Sequence, residues 1–286
     1  MKTIKVISRT AIVVAIMART LSAQAARPID EFLFDEPAGF FATNSGSSSV
    51  IVPLEMLKNG SWHDSHGPGL ANGGLDQSFA DGSNAGSAQQ TTLQNTFTID
   101  DNNIDTLKSF TLMGWLKSDG VPSPGGNLFL KHDGANGFGL NAGGGGLGLL
   151  VDGGAASSAA AYTTSDQWTF FAATYDGTIV ANNVKFYKGT ATGNFSNAVL
   201  VSTHTLNQGT VNDSGEALVL AGRGGGNTPF YTFDGVVDVM RIFGSKTDDS
   251  GVLSLGEIQF WQTQIPEPST VALLALGGLL ILRRKM

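Results

Sequence analysis

The chain has 286 residues, with 17 Lys and Arg against 24 Asp and Glu for a formal charge of −7, and contains 38 Gly and no Cys. The absence of cysteine excludes disulfides, thiolate metal sites and thiol nucleophiles, and the acidic balance excludes a nucleic-acid binder. The glycines fall between short apolar runs without a collagen-like period, the pattern of tight turns joining strands.

In chain order, Lys2, Lys5 and Arg9 precede the apolar segment Ala11 to Ala18, and Ala23-Gln24-Ala25 is a small-x-small cleavage site. Residues 1–25 therefore read as a secretory signal peptide cut after Ala25, which directs the rest of the chain through the inner membrane. Residues 26–268 hold 10 Lys and Arg against 24 Asp and Glu, a formal −14, because seven cations sit in the two terminal segments. A length near 240 residues is what one large β-sandwich uses, and residues 26–262 are expected to form it.

Strand signals bounded by Gly, Asn, Asp or Pro recur from residue 29 to residue 244. The clearest are Phe110 to Lys117, Trp168 to Tyr175, Val184 to Lys188, Ala217 to Ala221 and Val236 to Phe243. Weaker ones are Glu31 to Phe34, Leu128 to Lys131, Gly137 to Asn141 and Leu147 to Val151. In Phe110 to Lys117 both alternating sets carry apolar side chains, so this strand is expected between two covered faces. Thr43 to Ser49 and Ala80 to Ala88 read as surface loops. Ser254 and Glu257 have capping-box spacing ahead of Ile258, Phe260 and Trp261, which predicts a short helix closing the sandwich.

The last segment, residues 263–286, has three parts: Pro266-Glu267-Pro268, the apolar run Val271 to Leu282, and Arg283-Arg284-Lys285. Twelve apolar residues rise about 18 Å as a helix, short of a hydrocarbon core of roughly 30 Å, so a short transmembrane helix here is a marginal anchor. The cations are expected to hold its end on the cytoplasmic side. This order of parts closely resembles the PEP-CTERM sorting signal. The resemblance implies processing near Pro266, Glu267 and Pro268 by an exosortase-type transpeptidase, with transient contact to the inner membrane through the C-terminal helix before release to the cell surface or extracellular matrix.

A second resemblance covers residues 29–261. The string from Ile29 to Glu36, Ser109 to Leu112 leading to Trp115, WTFFAATYDG at 168–177, VKFYKG at 184–189 and DGVVDVMRIF at 234–243 are similar to a laminin-G-like domain of the concanavalin A-like lectin/glucanase superfamily. That resemblance implies an all-β fold, a jelly-roll sandwich of two antiparallel sheets, followed here by a short C-terminal apolar helix. It also implies a structural Ca²⁺ held by hard oxygen ligands, with Asp35, Asp234 and Asp238 as the positions to try. The chain departs from the family where a second acid often follows the last-strand aspartate, since Val239 follows Asp238, and in the extra residues Ser245 to Gly251.

Other constellations read as structural. The glutamates at 31, 36, 55, 216, 257 and 267 do not form the paired carboxylate array of a glucanase strand. Gly143 to Gly148 formally matches a dinucleotide fingerprint but opens a strand, so a hairpin turn is expected. Trp62-His63-Asp64-Ser65-His66 is a solvated loop or a metal or sugar platform, and Trp115 and Trp168 are expected in the core. The expected function is non-catalytic binding of extracellular material, polysaccharide first. A purely structural envelope component is the rival, and a glycan-active enzyme a third reading. The ligand-binding residues are not legible at this stage.

Overall fold

The computed structural model describes residues 26–34, 43–48, 61–62, 75–76, 102–118, 126–143, 145–158, 167–192, 195–222, 233 and 235–265. Among them, strands β1 (Asp30–Phe32), β2 (Ser61–Trp62), β3 (Leu75–Asp76), β4 (Ser109–Ser118), β9 (Trp168–Asp176), β10 (Val184–Thr190), β11 (Val199–His204) and β13 (Gly235–Ser245) form one sheet. Its order is β11-β10-β9-β4-β13-β3-β2, and β1 pairs with the second half of β13. Strands β5 (Gly126–His132), β6 (Gly137–Gly143), β7 (Gly146–Val151), β8 (Gly154–Ser157) and β12 (Val219–Leu220) form the other, in the order β12-β5-β6-β7-β8. Every pairing is antiparallel.

The alternation in β4 explains how the layers stack. Phe110, Leu112 and Leu116 enter the core shared with the second sheet, where Phe129, Phe138, Leu140 and Leu149 meet Phe171, Phe186 and Ile242. Met113 and Trp115 point to the opposite face and pack with Phe170, Tyr187, Phe243, Leu253 and Ile258. Helix α1 (Leu255–Thr263) covers that second face, so the central strands β4 and β13 are buried on both sides. Each fully buried Phe or Leu contributes about 1.5–3 kcal/mol over exposure.

The helix begins where the sequence places its cap. Ser254 has an extended backbone, its side chain accepts from the Glu257 amide, and the Glu257 carboxylate accepts from the Ser254 amide at 2.8 Å. Gln262, fully buried, fixes the other end: its Oε1 accepts from the amides of Asn197 and Ala198, and its Nε2 donates to Asn197 Oδ1 at 2.8 Å. The Gly-rich stretch is a hairpin, with Gly143 paired to Gly146 and Gly145 at φ 82, a conformation open to glycine. Trp115 is fully buried, whereas Trp168 is half-buried against the helix-side cluster.

One expectation is corrected. Among the described residues no helix is long and apolar enough to cross a membrane. The transmembrane helix, and the membrane partnership built on it, are therefore withdrawn; α1 spans nine residues, about 14 Å of rise. The signal-cleavage residues Ala23 and Ala25, and the tail residues Pro266, Glu267, Pro268, Arg283, Arg284 and Lys285, lie outside the described residues.

Candidate functional site

The two ends of the described chain meet. Ala26, Leu33, Trp261 and Ile265 all pack against the helix-side cluster, because β1 lies along β13 and α1 folds back over the same face. Between them is a cleft of about 230 Å³. Arg27, Pro28 and Glu31 line it from the N-terminal segment, Ser45, Gly46 and Ser47 from a neighbouring loop, and Trp261 from α1.

That loop is held against β1 as an extra edge. The amides of Ser45, Ser47 and Ser48 donate to the carbonyls of Glu31, Pro28 and Ile29. Asn44, expected on the surface, is 7% exposed: its Nδ2 donates to Asp30 Oδ1 at 2.6 Å and its Oδ1 accepts from the amides of Glu31 and Gly46. Gly46 is required by close approach, since a Cβ there would lie 2.2 Å from the Ile29 carbonyl oxygen.

Arg241 stands beneath the cleft, 2% exposed on β13. Its Nε donates to Glu31 Oε1 at 2.6 Å, and its two terminal nitrogens donate to the carbonyls of Trp261 and Gln264. Its guanidinium carbon sits 4.9 Å from the Trp261 ring centroid, a desolvated cation–π contact. Burial pushes the guanidinium pKa down, and the charge and hydrogen bond of Glu31, with the charge of Asp238, pull it back up. One side chain thus ties together the N-terminal strand, the last strand and the end of the helix. Glu31 completes the tie by accepting from Ser45 Oγ at 2.8 Å through its other oxygen.

Of the three aspartates considered for Ca²⁺, Asp35 and Asp234 lie outside the described residues. Asp238 is 3% exposed and its Oδ1 accepts the amide of Val239 at 2.8 Å. It marks a register shift between β13 and β4, and Val239 there has φ 51, a strained value for a β-branched residue. Among the described residues no group of three or more His, Cys, Asp or Glu could hold a metal ion. Carboxylates are the hard oxygen donors that Ca²⁺ takes, six to eight oxygens being needed, and of these three aspartates Asp238 alone is among the described residues. Of the three described glutamates, Glu31 is committed to Arg241 and Ser45, Glu257 to the helix cap, and Glu216 is exposed. His63, Asp64, Ser65 and His66 lie outside the described residues, while Ser61 and Trp62 form β2.

The profile of the concanavalin A-like lectin/glucanases superfamily, laminin G type 3, matches residues 90–252. The chain belongs to this superfamily. The profile of the PEP-CTERM protein-sorting motif matches residues 264–285, directly after α1. No curated protein matches the chain. Among solved structures, this lectin/glucanase-superfamily chain is similar to the receptor-binding domain of botulinum neurotoxin C/D mosaic serotype, at 12% identity and TM-score 0.54, covering 83% of this chain and 51% of that one. It is also similar to the serotype D binding domain, at 12% identity and TM-score 0.52, covering 84% and 52%. The serotype D domain in complex with N-acetylneuraminic acid matches at 12% identity and TM-score 0.53, covering 83% and 51%. The chain spans about half the length of these structures, and at such identity the likeness shows the fold.

The cleft escaped sequence reading for a physical reason. Its walls come from residues 27–31, 45–47 and 261, and Glu31 and Arg241 are 210 positions apart, so no local spacing carries it.

Proposed function

We propose that this protein is exported by the signal peptide ending at Ala25, is sorted by an exosortase-type transpeptidase acting near Pro266, Glu267 and Pro268, and at the cell surface or in the extracellular matrix binds polysaccharide without catalysing a reaction. The observation that carries this reading is the joining, on one chain, of a lectin-superfamily sandwich to a PEP-CTERM sorting motif. Fold alone does not assign a ligand. Support for binding rather than hydrolysis comes from the glutamates: Glu31 and Glu257 are consumed in structural contacts, which leaves Glu216 as the one other described glutamate, whereas a glycosidase needs a positioned pair of carboxylates. A structural Ca²⁺ at Asp35, Asp234 and Asp238 belongs to the same proposal.

The test is a pull-down of the exported protein with the polysaccharide of the producing cells, alongside a glycan array, with reducing ends assayed in the same tubes. Saturable retention without new reducing ends is the expected result. Absence of retention on every glycan would leave a purely structural role, and release of reducing ends would make the protein an enzyme.

A further inference from the structure

We propose that the cleft beside Trp261 is a docking groove for the chain's own sorting segment, with Pro266 and Pro268 against Trp261 and Pro28 and the Glu267 carboxylate on Arg27. The folded sandwich then holds the motif before it is processed, and the processing enzyme must compete for it.

The placement follows from where the described chain stops. The guanidinium of Arg241 holds the Gln264 carbonyl through one nitrogen and Glu31, a wall of the cleft, through another. The segment therefore departs within a guanidinium's width of the groove, and Ile265 is packed against the same cluster as Trp261 and Ala26. Proline favours an extended backbone with a rise of about 3 Å per residue, which allows Glu267 a span of up to about 9 Å from Gln264. Arg27 lines the same cleft as Glu31 and Trp261, both of which Arg241 also holds.

The chemistry is complementary on both counts. Proline-rich extended segments dock in aromatic-lined grooves because their backbone is already ordered, and this groove offers Trp261 and Pro28. Arg27 supplies the charge. Ion pairs among the described residues are Lys131–Asp105 and Arg241–Glu31, and exposed Arg27 is in neither. Glu31, the acid beside it, already has both oxygens engaged. At about 230 Å³ the cleft is smaller than small-molecule sites of roughly 300–1,000 Å³, which suits a few side chains better than a saccharide chain.

The absence of native cysteine makes a crosslinking test unambiguous. Ser47 lines the groove and Ser269 follows the motif, so Ser47→Cys/Ser269→Cys in the purified full chain, kept soluble in mild detergent, is treated with a short bismaleimide and the intramolecular product is read by mass spectrometry. Val180→Cys/Ser269→Cys is the control: Val180 is in the turn between β9 and β10, and β10 lies four strand spacings, about 19 Å, from β1. The groove pair is expected to crosslink several-fold more than the control. Adding Arg27→Glu is expected to lower the yield about three- to fivefold, the shift one partly screened ion pair can carry, and Arg27→Glu with Glu267→Arg to restore it. Equal yields in the two pairs overturn the proposal, as does a yield indifferent to Arg27. If instead oligosaccharide protects Ser47→Cys from maleimide while the crosslink stays at control level, the groove is a sugar site and the proposal is wrong. Failure here leaves the polysaccharide reading standing, because that pull-down does not depend on the groove's occupant.

Discussion

At the scale of single residues, two buried polar groups carry an unusual share of the structure. Arg241 is the clearer. Truncation to Ala leaves Glu31 unpaired at 15% side-chain exposure and removes the donor from the carbonyls of Trp261 and Gln264. A loss of about 3–5 kcal/mol is expected in chemical denaturation, as for breaking a buried pair from one side. Arg241→Lys is expected to recover only part of it, because one ammonium cannot reproduce three separated donors. Tyr175 is the second. It is fully buried, and its single hydroxyl proton is shared between the carbonyls of Gln208 and Gly209 at 2.5 and 2.7 Å. Burial foremost, then the charges of Asp152 and Asp176, raise its pKa well above the usual 10.0, and burial raises Tyr187 in the same direction. The folded state therefore keeps protons that the unfolded chain releases. Stability from this source is present below about pH 10 and lost as pH rises above it. Denaturant midpoints between pH 8 and 11 are expected to fall, and Tyr175→Phe to flatten the fall while costing about 1–3 kcal/mol at pH 7. A wild-type midpoint constant across that range contradicts the assignment.

At the scale of elements, α1 makes the sharpest case. Ser254→Ala removes the cap and is expected to cost about 1 kcal/mol, whereas Gly256→Ala is expected to add about 0.5–1 kcal/mol, since a Cβ at Gly256 meets nothing within 4 Å. Thermal or urea melts of the pair distinguish them by sign. The same helix shows what the sequence made legible: a capping box is a local pattern, and so are β4, β9, β10 and β13, whose apolar side chains on both faces reflect burial between two layers. Strands β8 and β11 were not legible. β8 is Gly-Ala-Ala-Ser, with no apolar side chain larger than Ala, and β11 is an edge strand whose Val199 and Leu200 are about half exposed, so neither shows the alternation of a half-buried strand. Their place is set by hydrogen bonding to β7 and β10, which is tertiary information. The proposed Ca²⁺ is tested at this scale too, because it would join the chain near β1 to β13. Chelation is expected to lower the melting temperature of wild type and to leave Asp35→Asn unaffected, and identical wild-type melts with and without chelator reject the site.

At the scale of the whole molecule, the topology decides how the chain unfolds. The last strand, β13, is the seam: it pairs with β4 over most of its length, with β3 through Val236 and Val237, and with β1 through Met240 to Ile242. Its side chains Val237, Met240 and Ile242 enter the core between the sheets while Val239 and Phe243 enter the cluster under α1, so neither core closes without it. The N-terminal strand is then locked by a contact 210 positions away, Glu31 to Arg241, and α1 by Gln262 on the β10–β11 connection. Strands β1, β4, β9, β10 and β13 each place side chains in these cores, so none of them leaves alone without exposing part of one. Calorimetry of the exported protein is expected to show one transition with calorimetric and van 't Hoff enthalpies in agreement, unchanged by reductant. Refolding is expected in milliseconds to seconds, the range of folds dominated by distant pairings. Deleting residues 26–34 is expected to abolish that transition rather than lower its temperature by a few degrees, since it strips β13 of β1, removes the partner of a buried guanidinium and uncovers Met240 and Ile242. A truncated protein that still melts cooperatively within about 5 °C of wild type, a shift worth roughly 1–2 kcal/mol at this size, would show that β1 is an ornament on the sheet. The convergence of the two chain ends would then carry no stability.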